Sequence, residues 1–213
     1  MNRRVIDMSA DPRRAHFDYF RSLANNQAGV TVDVDVTRLV RWCKARGASL
    51  YLGFMHAAAL AANAVPELRR RIVDGGTVVE YDGCGTSHVE MTASGAYGYC
   101  TLWHDLDWDE FFPYAEAERA KCRESASIDE DDDVDALYFV TCLPWLHYRE
   151  LIQPTEGGDA SNPRISWGRD EADWRGRLMM PVTLLCHHAL ADGIHIARFY
   201  ENLNRVLADL PEE

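Results

Sequence analysis

The chain has no run of about 18 uncharged apolar residues, the minimum for a membrane-spanning helix. Its opening stretch, MNRRVIDMSADPRR, lacks the apolar segment of a secretory leader. It also lacks a basic surplus: 22 Lys and Arg face 34 Asp and Glu, a net charge of −12. That excludes the electrostatic footprint of a nucleic-acid-binding domain; the acidity favours solubility without naming a partner. No Cys-x-x-Cys pair occurs among Cys43, Cys84, Cys100, Cys122, Cys142 and Cys186. Several of these lie in apolar runs, as reduced, buried thiols do. A cytoplasmic protein with no membrane or nucleic-acid partner is the expectation. Internal repeats, linkers and low-complexity stretches are missing too, so residues 1–213 are expected to form a single domain.

What is present is an ordinary globular composition, 47% hydrophobic and 10% aromatic. Asp11-Pro12 reads as an N-cap followed by proline in the first helical position, opening the helix RRAHFDYFRSLA. VTVDVDVT alternates like a half-buried strand, and Thr37 can cap a short helix ending at Gly47. Residues 49–64 form the most apolar helix, ended by Pro66, with the cluster Arg69-Arg70-Arg71 after it. TVVEYDG and SHVEMTA read as strands around the turn DGCG, and DWDEFFPYAEAERAKCRE as a helix. The acidic run Asp129–Asp133 reads as a solvated loop, with a cation site the minor reading. ALYFVTCLPW is a buried strand stopped by Pro144. RLMMPVTLLCHH is a second strand, apolar enough to be central, with Pro181 a local weakness. An amphipathic helix with Ile196, Phe199, Leu203, Val206, Leu207 and Leu210 at helical spacing closes the chain. The order is that of a mixed α/β, two-layer domain.

The informative segment is Cys186-His187-His188-Ala189-Leu190-Ala191-Asp192-Gly193, where a core strand ends and a helix begins. A side chain there sits on a short loop held by rigid elements, a frequent place for catalysis. Three other readings compete on the residues alone. A histidine in a core strand can simply be buried and satisfied. His187, His188, Asp192 and His195 could bind a metal, although no further ligand set is defined. Asp192 could merely cap the following helix.

HHALADG matches H-H-x-x-x-D-G, and RLMMPVTLLCHHALADGIHIARFYENL around it resembles the C-terminus of the chloramphenicol acetyltransferases. RRAHFDYF, SLYLGFMHAAALAANAVPELRRRIVDG and FVTCLPW resemble further segments of that family, and the likeness runs over nearly the whole chain. The acyltransferase domains of 2-oxoacid dehydrogenase complexes share the short motif. The resemblance implies a CoA-dependent acyltransferase fold and a homotrimer with sites between subunits. It also implies O-acetylation of a small-molecule hydroxyl acceptor, chloramphenicol first, with acetyl-CoA as co-substrate, no bound cofactor and no metal. The alternatives are the same chemistry on another hydroxylated small molecule, a lipoyl-type acyltransferase domain, or a catalytically silent binder.

The implied roles follow from the chemistry of acyl transfer. An alcohol needs a base with a pKa near neutrality, and imidazole, at about 6.5, provides one. The match gives that role to His188, with its own backbone carbonyl holding the other ring nitrogen. Asp192 is implied to pair with a buried Arg13 and so hold the loop. The hydroxyl that meets the oxyanion is implied at Thr141, where the family carries serine, and Ser166 falls near the reacting centre. Phe20 keeps an aromatic of the acceptor pocket, while Leu185 replaces a polar residue. Asn26 and Ala28 replace a cysteine and an aromatic, and Leu151 and Gln153 fall where a Phe and a Leu line the family's drug pocket. Arg169, Arg175 and Arg177 are candidates for the CoA phosphates by charge alone.

Overall fold

A computed structural model describes residues 2–124 and 133–210. Of the acidic run, residues 129–132 fall outside this range. Asp133 lies inside it and accepts hydrogen bonds from the Tyr81 hydroxyl (2.8 Å) and the Asp135 amide.

Two layers make the fold. One is a large mixed sheet in the order β2 (Gln27–Asp35), β10 (Leu178–His187), β8 (Arg164–Gly168), β7 (Leu137–Leu143), β5 (Gly85–Met91), β6 (Tyr97–Leu102), with β9 (Glu171–Ala172) paired to the start of β10. The pairs β5–β7 and β7–β8 are parallel and the others antiparallel. The second layer is built by α2 (Thr37–Arg46), α3 (Leu50–Asn63), α4 (Trp108–Glu124) and α5 (Gly193–Ala208), whose apolar residues join one core with the inner face of the sheet. A small sheet, β1 (Arg3–Ile6), β4 (Thr77–Tyr81), β3 (Arg70–Val73), packs with α1 (Arg14–Arg21) around a second cluster containing Phe17, Ile72, Val78 and Leu190.

Local chemistry explains most of these boundaries. Gly47 ends α2 in the left-handed region (φ 62°), which glycine adopts without a Cβ penalty. The Ser49 hydroxyl caps α3, which is buried nearly all round, as its composition requires. Pro181 carries no N–H, and it falls between the stretch of β10 that pairs with β9 and the stretch that pairs with β8. The strand therefore stays interior despite its proline.

Three expectations need correction. Helix α1 begins at Arg14 with Arg13 as N-cap; the Asp11 carboxylate accepts the Arg13 amide in an Asx turn instead of capping from Pro12. Thr37 does not cap α2 but is its first residue: Asp35 accepts the Thr37 amide, and the Thr37 hydroxyl accepts the Leu178 amide. The strands β4 and β5 lie on either side of DGCG as expected, in different sheets, because the chain crosses there from the small sheet to the large one. The strand at 27–35 is an edge strand on which Val34 is buried but Val30 and Val32 are exposed, although the α5 residue Tyr200 reaches the Val30 carbonyl. Arg71, from the basic cluster, is fully buried and gives its guanidinium to the carbonyls of Leu68, Arg70 and Leu137.

Candidate active site

The end of β10 separates two adjacent histidines. Strand alternation sends His187 to one face, where it is 1% exposed. Both its ring nitrogens are committed: Nδ1 accepts the Ala189 amide (3.2 Å) and Nε2 donates to the Gly158 carbonyl (3.1 Å). Burial lowers its pKa below the ordinary imidazole value, although the Gly158 contact opposes that. His188 enters the turn that follows, its amide held by the Asn26 carbonyl (2.8 Å). Its side chain is 31% exposed and its ring stacks on Phe20, centroids 3.8 Å apart.

His188 Nδ1 lies 3.1 Å from the Ala191 carbonyl oxygen and 3.5 Å from Asp192 Oδ1. The carbonyl partner is thus Ala191 and not the histidine's own. The turn closed by the Leu190 and Ala191 amides on the His187 carbonyl curls the Ala191 oxygen back to the ring. Donation from Nδ1 to that carbonyl leaves Nε2 with the lone pair, and Nε2 meets no hydrogen-bond partner among the described residues.

Arg13 and Asp192 form a bidentate pair, Nε to Oδ2 at 2.9 Å and Nη2 to Oδ1 at 2.7 Å. The same guanidinium reaches the carbonyls of His188, Ala189 and Leu190. One side chain therefore ties the whole turn to the start of α1. The pair is not buried as expected: the two side chains are 20% and 38% exposed. His195 is engaged in capping, its Nδ1 accepting the Asp192 amide (2.9 Å), with Glu67 3.7 Å from Nε2. Among the described residues no three His, Cys, Asp or Glu side chains are grouped to hold a metal.

Thr141 and Ser166 are elsewhere. The register aligns Thr141 with Ser166 on β8, Ser166 with Thr183 on β10, and Thr183 with Thr31 on β2, a row of hydroxyls on the sheet face away from the helices. Thr31 and Thr183 hydroxyls are 2.8 Å apart, and Thr183 also donates to the Tyr148 hydroxyl at 3.2 Å. The Ser166 hydroxyl is buried with no partner. Three hollows lie beside these residues, two along this face and the one with Tyr51 at the end of the sheet, where α3 and α4 also line it. One of about 390 Å³ is lined by Thr141, Phe139 and Arg164. One of about 670 Å³ is lined by Thr141, Tyr51 and Trp145. One of about 800 Å³ is lined by Leu185, Thr31, Thr183, Leu151 and Gln153. Thr183 precedes His188 by five positions, so His188 stands roughly 16 Å along β10 from the row, at ~3.3 Å per residue. One chain therefore does not bring His188 and Thr141 together.

Sequence reasoning missed the roles of Asn26, Gly158, Ala191 and Tyr148. The first three act through backbone atoms, which leave no residue-type signal, and Tyr148 lies in the stretch least like the family. Of the three candidate phosphate-binding arginines, Arg169 pairs with Glu171 and Arg177 with Asp173 at the surface.

The two-layer arrangement is the CoA-dependent acyltransferase fold. A solved chloramphenicol acetyltransferase superposes with a TM-score of 0.79 at 26% identity, covering 97% of this chain and 98% of the other. The Azotobacter vinelandii dihydrolipoamide acetyltransferase shares the fold at a TM-score of 0.68 and 17% identity, over 92% of this chain and 87% of that one. A chloramphenicol acetyltransferase of Escherichia coli is 26% identical over 209 residues, 94% of this chain and 92% of its own length. The model of the chloramphenicol acetyltransferase family matches residues 1–204, so the chain belongs to that family. It is an acyltransferase.

Proposed function

We propose that this acyltransferase carries an acetyl group from acetyl-CoA to the hydroxyl of a small-molecule acceptor, with His188 as general base. The observation that carries the reading is the contrast between the two histidines. His187 has both nitrogens bound to backbone, whereas His188 is exposed, oriented through Nδ1, and free at Nε2. Nε2 takes the acceptor's hydroxyl proton as the oxygen attacks the thioester carbonyl. The oxyanion that forms receives a hydrogen bond from the Thr141 hydroxyl; one such donor contributes about 2.7–4 kcal/mol in a well-studied case. Collapse expels the CoA thiolate, which takes the proton from His188. Arg13 and Asp192 act on the turn that positions the ring and not on the substrate.

A homotrimer with sites between subunits belongs to the proposal. His188 and Thr141 stand apart on one chain, so a complete site requires the His188 end of one subunit against the Thr141 row of another. The free edge at β2, with Val30 and Val32 exposed, supplies surface for such an assembly.

Chloramphenicol is the first acceptor to test, on the names of the relatives. Another hydroxylated acceptor is the second reading, favoured by Gln153, Thr31 and Thr183 in the largest hollow. Free thiol release from acetyl-CoA in the presence of chloramphenicol, lost in His188→Ala, supports the main reading. Release only with other alcohols supports the second, and no release with any alcohol overturns both.

A further inference from the structure

Beside Thr141 the sheet carries a cation without an anion. Register places Arg164 opposite Phe139, and Ser166 opposite Thr141, so Arg164 shares the face of the hydroxyl row. Two residues along and one strand across put its Cα roughly 8 Å from that of Thr141, within reach of so long a side chain. Its guanidinium carbon stands 5.1 Å from the Phe139 ring centre, and the side chain lines the same 390 Å³ hollow as Thr141. No hydrogen bond or ion pair engages it among the described residues. Glu156, exposed at the mouth of that hollow, is near enough to act on it electrostatically but does not bond it. Burial lowers the pKa of Arg164, Glu156 opposing.

A half-desolvated guanidinium with its donors free is unfavourable unless an acceptor meets them, and its planar fork suits a carboxylate. The CoA phosphates are unsuitable, because the pantetheine arm separates them from the thioester that would lie at Thr141. Glu156 weakens the local positive field, which favours a monoanion over a phosphate dianion.

We infer that the acceptor acetylated here bears a carboxylate, bound by Arg164 beside the reacting centre. The inference rests on the reading that Thr141 marks that centre. Arg164 then determines specificity, selecting hydroxy acids over neutral alcohols.

The test compares tropate with its methyl ester, two acceptors with the same primary hydroxyl, by thiol release from acetyl-CoA, with chloramphenicol alongside. The wild type is expected to favour the acid at least tenfold in kcat/KM, chiefly through KM. Arg164→Gln should bring the acid-to-ester ratio down to about one, and Arg164→Lys should leave it intermediate, since the fork is lost and the charge kept. Glu156→Gln, at an exposed position, should lower KM for the acid several-fold, and it reports on the same field should Arg164→Gln fold poorly. An ester used as well as the acid, a ratio that ignores Arg164→Gln, or turnover of chloramphenicol alone overturns the inference and leaves the acetyltransferase reading intact. No thiol release with any of the three overturns the inference as well, and no release with any alcohol overturns the acetyltransferase reading itself.

Discussion

The ring of Phe20 lies face to face with that of His188, 3.8 Å between centroids and 23° between planes. Contact with a flat apolar face and a hydrogen bond at Nδ1 together define the plane and rotation of the imidazole. Phe20→Tyr keeps the face and is expected to retain most of the activity. Phe20→Ala should lower kcat by about tenfold, the scale at which a loosened base loses geometry. Steady-state thiol release on the two variants checks this; equal rates would remove Phe20 from the site.

The two histidines should separate stability from catalysis. His188→Gln is expected to abolish turnover with the melting temperature nearly unchanged. His187→Ala leaves the buried Ala189 amide unpaired, at about 1–3 kcal/mol, and removes one of the two donors to the Gly158 carbonyl, which keeps Asn26 Nδ2. A fall in melting temperature of several degrees is the expected result. A destabilised His188→Gln with a stable His187→Ala would reverse the assignment.

Arg13 should act on both properties. Loss of a bidentate pair that also holds three carbonyls, at partial exposure, is expected to cost about 1–3 kcal/mol in Arg13→Ala, less than a fully buried pair would. Activity should fall with it. Arg13→Lys cannot reproduce the fork and should rescue only part. Calorimetry beside kinetics decides, and an unshifted melting point would dismiss the positioning role.

Subunits inactive for different reasons should complement one another. His188→Ala and Thr141→Val each lose activity alone. Co-expressed, they are expected to form mixed trimers in which an intact His188 meets an intact Thr141. Recovered thiol release, with a trimer mass by light scattering, supports sites between subunits. A monomer with full wild-type activity would refute them.

Acid should weaken the fold through a buried pair distant from the site. His56 Nδ1 lies 3.1 Å from His104 Nδ1 in the core, and burial pulls His56 down to about 4 and His104 well below its ordinary value. The unfolded chain binds these protons near pH 6.5 and the native state does not. Stability is therefore full above about pH 6.5 and is lost as pH falls toward 4, by about 1.4 kcal/mol per pH unit for each histidine held neutral. Denaturant titrations at intervals across that range measure the slope. His56→Phe, beside Phe111 and Trp108, should make it shallower; an identical slope would exclude the pair as its source.

Patterns of spacing made the outline of this protein legible in its sequence. The apolar helix at 50–63, the amphipathic closing helix and the run into His187-His188 appear because side-chain periodicity is a local property of the chain. The residue types at the candidate site stood out as well, since HHALADG, Arg13 and Thr141 each carry a chemistry that few other residues supply. Which strands pair, that Val30 and Val32 stay exposed at an edge, and that Arg13 grips three carbonyls were settled only by the tertiary structure. So were the Ala191 carbonyl beneath His188, the distance between His188 and Thr141, and the exposure of Arg164 to a hollow. Each of these depends on backbone atoms and on contacts between residues remote in the chain, and amino-acid identity encodes neither one position at a time.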